Sequence, residues 1–364
     1  MKNEKLIFGV MSGTSLDGID VVLIKIGNKN IKLIDFAHKP YSNKLANALL
    51  LIQKPIHNDL ELSIELGLLH AQTTASMINT MLKKLNIYPK KVCCIGYHGQ
   101  TIRHQPSKKF SVQIGNAHML AEKTNIAVVA DFRNRDIVAG GQGAPLVPSF
   151  HQKVFSSRTK NRVIINVGGI SNLTYLKIGD KLIGFDCGPG NLLLDYWVQK
   201  NKNKNYDDKG KWASTGNIIP NLLIEFMKEP FFQKKPPKST GRDLFNSCWL
   251  EKFDHKKESP EDVQRTLLEL TAISINLAIA RYCNKVDEIF ICGGGSKNIF
   301  LKNRLEQLTT QKINNTEELG IPSQSVEAVA FGWLANERVN NIPNNSPEIT
   351  GSSGKRILGI THPA

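Results

Sequence analysis

The chain has 364 residues, enough for two domains with separate cores, and its 41% hydrophobic and 22% charged content describes a globular protein with no apolar run long enough to span a bilayer. Forty-seven Lys and Arg against thirty-two Asp and Glu leave a net charge of +15, but the lysines are scattered among asparagines, with no basic helix interleaved with aromatics, which argues against nucleic acid and for a solvated surface mildly attractive to anionic substrates. None of the six cysteines forms a C-x-x-C pair, and the N-terminus enters a strand without a secretory segment, so a tightly held structural metal (zinc included) and disulfides are not expected and a cytoplasmic location is.

Alternating apolar residues predict strands over 5–10, 19–26 and 31–37. Between the first two lies a turn of Ser12, Gly13, Thr14, Ser15, Leu16, Asp17, Gly18 and Ile19. Small residues let a backbone approach a ligand closely, and hydroxyls with free amides make a concave anion site. An ordinary polar hairpin loop is the competing reading. A short helix over 43–51 and a long one over 59–85 follow, with Asn58 or Asp59 as cap.

A buried strand over 92–97 runs into Gly96-Tyr97-His98-Gly99-Gln100-Thr101, where His98 either meets a substrate or makes one structural hydrogen bond. After a helix to Lys123 and a strand over 126–130 comes Asp131-Phe132-Arg133-Asn134-Arg135-Asp136. Either an arginine here holds an anion, since a guanidinium forks onto carboxylate or phosphate, or the four charges form an internal knot. Residues 139–148, rich in glycine and proline, read as an interdomain connection.

The second half repeats the opening. Strands are expected over 163–167, 173–178 and 181–185, with Gly168 and Gly169 at the first turn. Two strand–turn–strand units with Gly-rich tips indicate a duplicated domain that can grip a polyphosphate from both sides. Asp186 follows the third strand in a turn with Gly188, ahead of a helix from Leu192. Residues 200–245 are lower in apolar periodicity, and their basic turn, including Lys238-Ser239-Thr240-Gly241-Arg242, either touches a substrate or is a solvated insertion, the reading that composition favours. Ser259 caps a helix with Pro260 at its first position, running to about Tyr282. A strand over 287–292 then feeds Gly293, Gly294 and Gly295, with Asn298 and a helix behind them, a nucleotide-cradling arrangement. The last helix covers 326–339 and contains Glu327; the tail beyond Asn340 is expected to be irregular.

The blocks G-V-M-S-G-T-S-L-D-G-I-D, G-Y-H-G-Q-T-I-R-H, Q-I-G-N, A-D-F-R, G-G-Q-G-A-P-L-V-P, N-V-G-G-I-S-N, G-F-D-C-G-P-G-N, S-T-G-R-D-L-F-N, C-G-G-G-S-K-N and E-A-V-A-F-G-W-L-A run in order from Gly9 to Ala335. With them the chain resembles the anhydro-N-acetylmuramic acid kinases, a branch of the actin, hexokinase and heat-shock-chaperone superfamily. The resemblance implies an α/β fold of two ribonuclease-H-like lobes with mixed sheets flanked by helices and a cleft between. The lobes are expected over 1–138 and 139–340, with 341–364 as a tail. It implies a kinase that cleaves a 1,6-anhydro sugar with water while phosphorylating O6 from ATP with Mg²⁺, in cell-wall sugar recycling. A homodimer is consistent with it.

By the same match Asp186 is the expected catalytic base, the alternative being a turn or cap residue. Residues 12–19, Gly168, Gly169, Gly293, Gly294, Gly295 and Asn298 are expected at ATP, and His98, Arg133, Gly188 and Glu327 near the sugar. Asp17 and Asp20 stand as outer partners of the metal or as turn residues. Cys187, where relatives carry threonine, and Gly332, where they carry alanine, depart from the pattern. A simple hexose or amino-sugar kinase and a non-catalytic nucleotide-gated sensor remain as rival readings.

Overall fold

The computed structural model describes residues 4–27, 30–53 and 57–364. The chain divides into two units, Met1–Phe150 with Ser325–Ala364, and His151–Gln324.

In the first unit β1 (Lys5–Ser12), β2 (Gly18–Ile26) and β3 (Ile31–Pro40) form an antiparallel meander. Next to β1 and parallel to it runs β4 (Val92–Gln105), from which β5 (Phe110–Ile114) folds back as a hairpin. The parallel strand β6 (Val128–Ala130) follows, and β12 (Ile360–His362) pairs antiparallel with it. The sheet order is β12-β6-β4-β1-β2-β3. In the second unit β7 (Arg162–Val167), β8 (Ile170–Leu176) and β9 (Ile183–Pro189) make the meander. Beyond it β10 (Glu288–Cys292) and β11 (Ile313–Asn315) run parallel to β7. Its order is β11-β10-β7-β8-β9. Each unit is thus a mixed sheet flanked by helices, with its first three strands antiparallel and two more added parallel beside the first. The repeat read from the two Gly-tipped hairpins is a repeat of whole sheets.

The apolar pattern explains the layers. Phe8, Val10, Ile19, Val21 and Leu23 on the first sheet meet Ala71, Ala75, Ile78 and Met81 of the helix Asp59–Leu85. The helix Val326–Val339 packs on β1 and β4 at backbone distance. A Cβ on Gly9 would overlap the Ala328 carbonyl and one on Gly96 the Phe331 carbonyl, so glycine alone fits at both. A Cβ on Gly332 would lie 2.8 Å from the tip of Ile24, so the missing methyl lets that side chain lie flat. In the second unit the helix Pro260–Tyr282 is buried along most of its length. Its Glu269, buried, accepts from Arg265 Nη1 at 2.9 Å and from Arg304 Nη2 at 2.7 Å.

Several elements differ from expectation. Pairing with β5 extends β4 through His98, so that residue lies in a strand rather than a loop. Pairing with β8 extends β9 to Pro189, so Asp186 sits within the strand and not past its end. The tail is ordered: Pro347–Thr350 is helical and Ile360–His362 is β12. Residues 139–143, expected to form an interdomain connection, are tied to the tail by Gln142 N–H to Thr350 O at 2.8 Å and Ser353 N–H to Ala139 O at 2.8 Å. The boundary between the units therefore falls at 150/151, and the last helix and the tail group with the first unit. Cys94, Cys187, Cys283 and Cys292 are buried free thiols, whereas Cys93 is half-buried and Cys248 exposed.

Candidate active site

Parallel strands aim their C-terminal ends at one edge of a sheet, and ligands of α/β proteins gather there. In the first unit that edge carries the ends of β1 and β4 and the loop after β6. Ser12 Oγ donates to Gly99 O at 2.8 Å and stands 2.9 Å from His70 Nε2. Because its one proton is committed to the carbonyl, Ser12 accepts from His70 Nε2–H. His70 Nδ1 then accepts from Tyr97 O–H at 2.6 Å. His98 Nδ1–H donates to the same Gly99 O at 2.7 Å, and His98 Nε2 accepts from Arg133 Nε at 3.2 Å and Nη2 at 3.0 Å. Arg133 Nη1 reaches Gly143 O at 2.7 Å.

The result is one continuous relay, Tyr97–His70–Ser12–Gly99–His98–Arg133, in which each donor finds an acceptor. Burial holds His70 down to about 4. Burial, and then the Arg133 charge, holds His98 well below the ordinary histidine range. Both rings are neutral at neutral pH, as the relay requires.

The relay fixes the base of the turn expected at phosphate. Gln100 Nε2–H adds a bond to Gly13 O at 3.0 Å and Tyr41 O–H donates to Gln100 Oε1 at 3.2 Å. Ser12 is buried and serves the scaffold. Leu16 and Ile19 send their side chains into the core. Gly18 is required because a Cβ there would overlap the Lys39 carbonyl of β3. Gly13, Thr14, Ser15 and Asp17 form the tip, with Ser15 Oγ donating to Asp17 Oδ1 at 2.8 Å. Asp20 Oδ1 lies 2.7 Å from His38 Nδ1.

His98 has both ring nitrogens engaged and orients Arg133. The acids of the 131–136 segment are satisfied by neutral donors: Asn134 Nδ2 gives to Asp131 at 2.8 Å, and Gly143 N and Thr350 Oγ1 give to Asp136 at 2.9 and 2.8 Å. Phe331 packs on His98 with ring centroids 4.6 Å apart, and Glu327 lies one turn before it on the same helix face.

In the second unit the two glycine motifs come together. Gly168 O accepts from Asn191 N at 2.8 Å, and Gly169 O from Gly190 N at 2.9 Å and Leu192 N at 3.1 Å. The hairpin tip therefore caps the helix Leu192–Lys202. A Cβ on Gly295 would strike Val167 and one on Gly294 would touch Asn191 Nδ2 at 3.5 Å, so the glycine triplet lies against the same turn. Asn298 caps the helix Ile299–Thr309, accepting from Leu301 N at 3.0 Å. Gly188 turns its Cα toward Phe232 and Ser274, and its O accepts from Ser171 Oγ at 3.1 Å, so it is a packing position.

Asp186 is buried on β9 opposite Asn172 of β8. Its N–H meets Lys238 O at 3.3 Å, and its Oδ2 accepts from Thr240 N at 2.9 Å. The segment 238–242, read as a solvated insertion, instead docks on this strand. Lys238 is buried, with Nζ 4.6 Å from the Phe231 ring centre and 3.3 Å from Phe231 O, and burial lowers its pKa. Burial, with the Asp186 charge behind it, pushes the Cys187 thiol up, so it stays protonated. Sequence reasoning passed over His70, in mid-helix, and Thr240. The S-T-G-R-D-L-F-N block carried a signal for the second; nothing local marked the first.

Among the described residues no three His, Cys, Asp or Glu side chains converge into a metal cage. A Mg²⁺ carried by nucleotide phosphates and water needs no such cage, and the Asp17 carboxylate at the hairpin tip suits it as an outer partner.

A family model for anhydro-N-acetylmuramic acid kinase matches residues 5–364. A protein of that name from Nitrosospira multiformis is 45% identical over 359 residues, 98% of each chain. Namesakes from Nitrosomonas europaea (98% of this chain, 99% of the relative) and Pseudomonas syringae pv. tomato (98% of each) are 44% and 43% identical over the same length. Among solved structures, the activator of 2-hydroxyisocaproyl-CoA dehydratase from Clostridium difficile with bound ADPNP aligns over 94% of this chain and 99% of its own, at 10% identity and a TM-score of 0.46, too distant to bear on mechanism.

Proposed function

The chain belongs to the anhydro-N-acetylmuramic acid kinase family, and on that premise we propose that it opens the 1,6-anhydro bridge of 1,6-anhydro-N-acetylmuramic acid with water while transferring the γ-phosphoryl group of ATP to O6. The products are N-acetylmuramic acid 6-phosphate and ADP, in peptidoglycan sugar recycling. The observation that carries the reading is Asp186: a buried carboxylate on β9, fixed through Oδ2 by the Thr240 amide.

Asp186 takes a proton from the water that attacks the anomeric carbon. The bridge C–O bond breaks, its electron pair stays on O6, and O6 attacks the γ-phosphorus. Positioned proton transfer of this kind contributes about 10²–10⁴-fold. Phosphoryl transfer depends on positioning and charge neutralisation; within the second unit the adjoining Gly168–Gly169 and Gly293–Gly295 turns, and within the first unit the Gly13–Asp17 tip, are each candidates for a phosphate contact. Mg²⁺ would neutralise phosphate charge, with Asp17 as a candidate outer partner. Arg133, aimed by His98, and Glu327 hold the sugar.

The two units serve as the two lobes, and a homodimer in the cytoplasm completes the reading. The near-full-length match to kinases leaves the sensor and simple-hexose-kinase readings unfavoured. Turnover in heavy-oxygen water tests it: mass spectrometry should find label on the anomeric oxygen of the product. Asp186→Asn should bind ATP like the wild type and lose at least 10²-fold in turnover. A near-normal rate in a coupled ADP assay would exclude Asp186 as the base.

A further inference from the structure

Two buried polar atoms beside Asp186 have no hydrogen-bond partner among the described residues, Asn172 Oδ1 and Thr240 Oγ1. Both flank the same carboxylate. Asn172 is the register partner of Asp186 across β8 and β9, next to an irregularity in the pairing between Ser171 and Asn172, so the two residues face each other across the strand pair. Thr240 is held there by its own N–H on Asp186 Oδ2, at 2.9 Å. Leaving a buried polar atom unpaired destabilises the free protein, so such atoms at a catalytic carboxylate mark where a ligand completes the bonding.

The chemistry of the three groups specifies that ligand. A carboxylate and an amide carbonyl are acceptors, and between them only a donor with two protons satisfies both. A threonine hydroxyl donates to a lone pair. We propose that Asn172 and Thr240 are catalytic residues that, with Asp186, seat the attacking water; this rests on the kinase reading above. The water gives one hydrogen to Asp186 and the other to Asn172 Oδ1, and accepts from Thr240 Oγ1–H. Its remaining lone pair faces the anomeric carbon. As the new C–O bond forms, the first proton moves to Asp186, the bridge bond breaks toward O6, and the second proton stays on the new anomeric hydroxyl.

The test measures Thr240→Val, Asn172→Leu and Asn172→Asp in steady-state kinetics and urea unfolding. Thr240→Val keeps the backbone amide that fixes Asp186 and removes a hydroxyl unpartnered in the free protein. Its stability should therefore equal or exceed the wild type, while kcat falls about tenfold or more and KM for ATP is unchanged. Asn172→Leu should behave alike. Asn172→Asp keeps an acceptor oxygen, so it should retain more activity than Asn172→Leu, with the acidic limb of its pH–rate profile moved upward by the added like charge. Wild-type kcat in Thr240→Val and Asn172→Leu overturns the proposal, as does a loss of kcat matched by a loss of stability. A wild-type enzyme that leaves no heavy oxygen on the anomeric carbon removes the underlying kinase reading instead, whatever the variants do.

Discussion

Acid should unfold the first unit before the second, and the buried histidines set the size of the effect. His70 and His104 are each held down to about 4 by burial, with Arg133 adding to the second, and His98 lies well below the ordinary range for the same two reasons. All three belong to the first unit. In the unfolded chain each returns to about 6.5. Between these values the unfolded state binds more protons, so stability is intact above about pH 6.5 and falls as pH drops through the window. One histidine contributes a slope of about 1.4 kcal/mol per pH unit, and three contribute about 4. Against a typical total of about 5–15 kcal/mol, the unit should be lost within two to three pH units.

The second unit has His151, lowered to about 3 by burial, and so about a third of that histidine-driven slope. Urea unfolding at a series of pH values, read by hydrogen exchange in each unit, measures both slopes. Because His70 anchors Ser12, protection in the 9–20 turn should fail with the unit. His70→Gln should reduce the first unit's slope by about 1.4 kcal/mol per pH unit. A first unit whose stability is flat between about pH 6.5 and 5, or a slope that His70→Gln leaves unaltered, would refute the reasoning.

Gly96→Ala drives a Cβ onto the Phe331 carbonyl of the packed helix. Backbone cannot yield as a side chain does, so a cost at or above the upper end of overpacking, about 3 kcal/mol, is expected, with Tm lowered by about 6–12 °C in calorimetry. Glu269→Ala leaves Arg265 and Arg304 facing each other without their shared carboxylate. A loss of about 3–5 kcal/mol in urea unfolding is expected. Chelation with EDTA should stop phosphoryl transfer but leave the Tm of the nucleotide-free protein unchanged, since no metal cage exists among the described residues. A lower Tm on chelation would mean a resident ion.

Much of the scaffold was legible because its signals are local. Asn43–Leu51, Asp59–Leu85 and Val326–Val339 match their apolar periodicity to the residue. Ser259 caps its helix as its place before Pro260 suggests, accepting from Asp262 N at 3.3 Å. Strand ends were less legible. Whether β9 stops at residue 185 or runs to Pro189 depends on β8 continuing to pair with it.

The candidate site divides along the same line. Ser12 and the glycine turns are visible in sequence because tight turns demand particular residue types at adjacent positions, and Asp186 because its block matches the family pattern. Their roles are not. Ser12 faces His70 fifty-eight positions away, and Asp186 meets the Thr240 amide fifty-four positions away. Gly188 and Gly18 are also constrained by packing, which only their neighbours in space reveal. The sequence by itself determined the duplicated strand–turn–strand plan and the family, and marked Asp186 as the candidate acid. Tertiary structure alone decided which hydroxyls brace the scaffold and which remain unpaired beside that acid, because hydrogen-bond satisfaction belongs to groups brought together in space, and chain order does not encode that meeting.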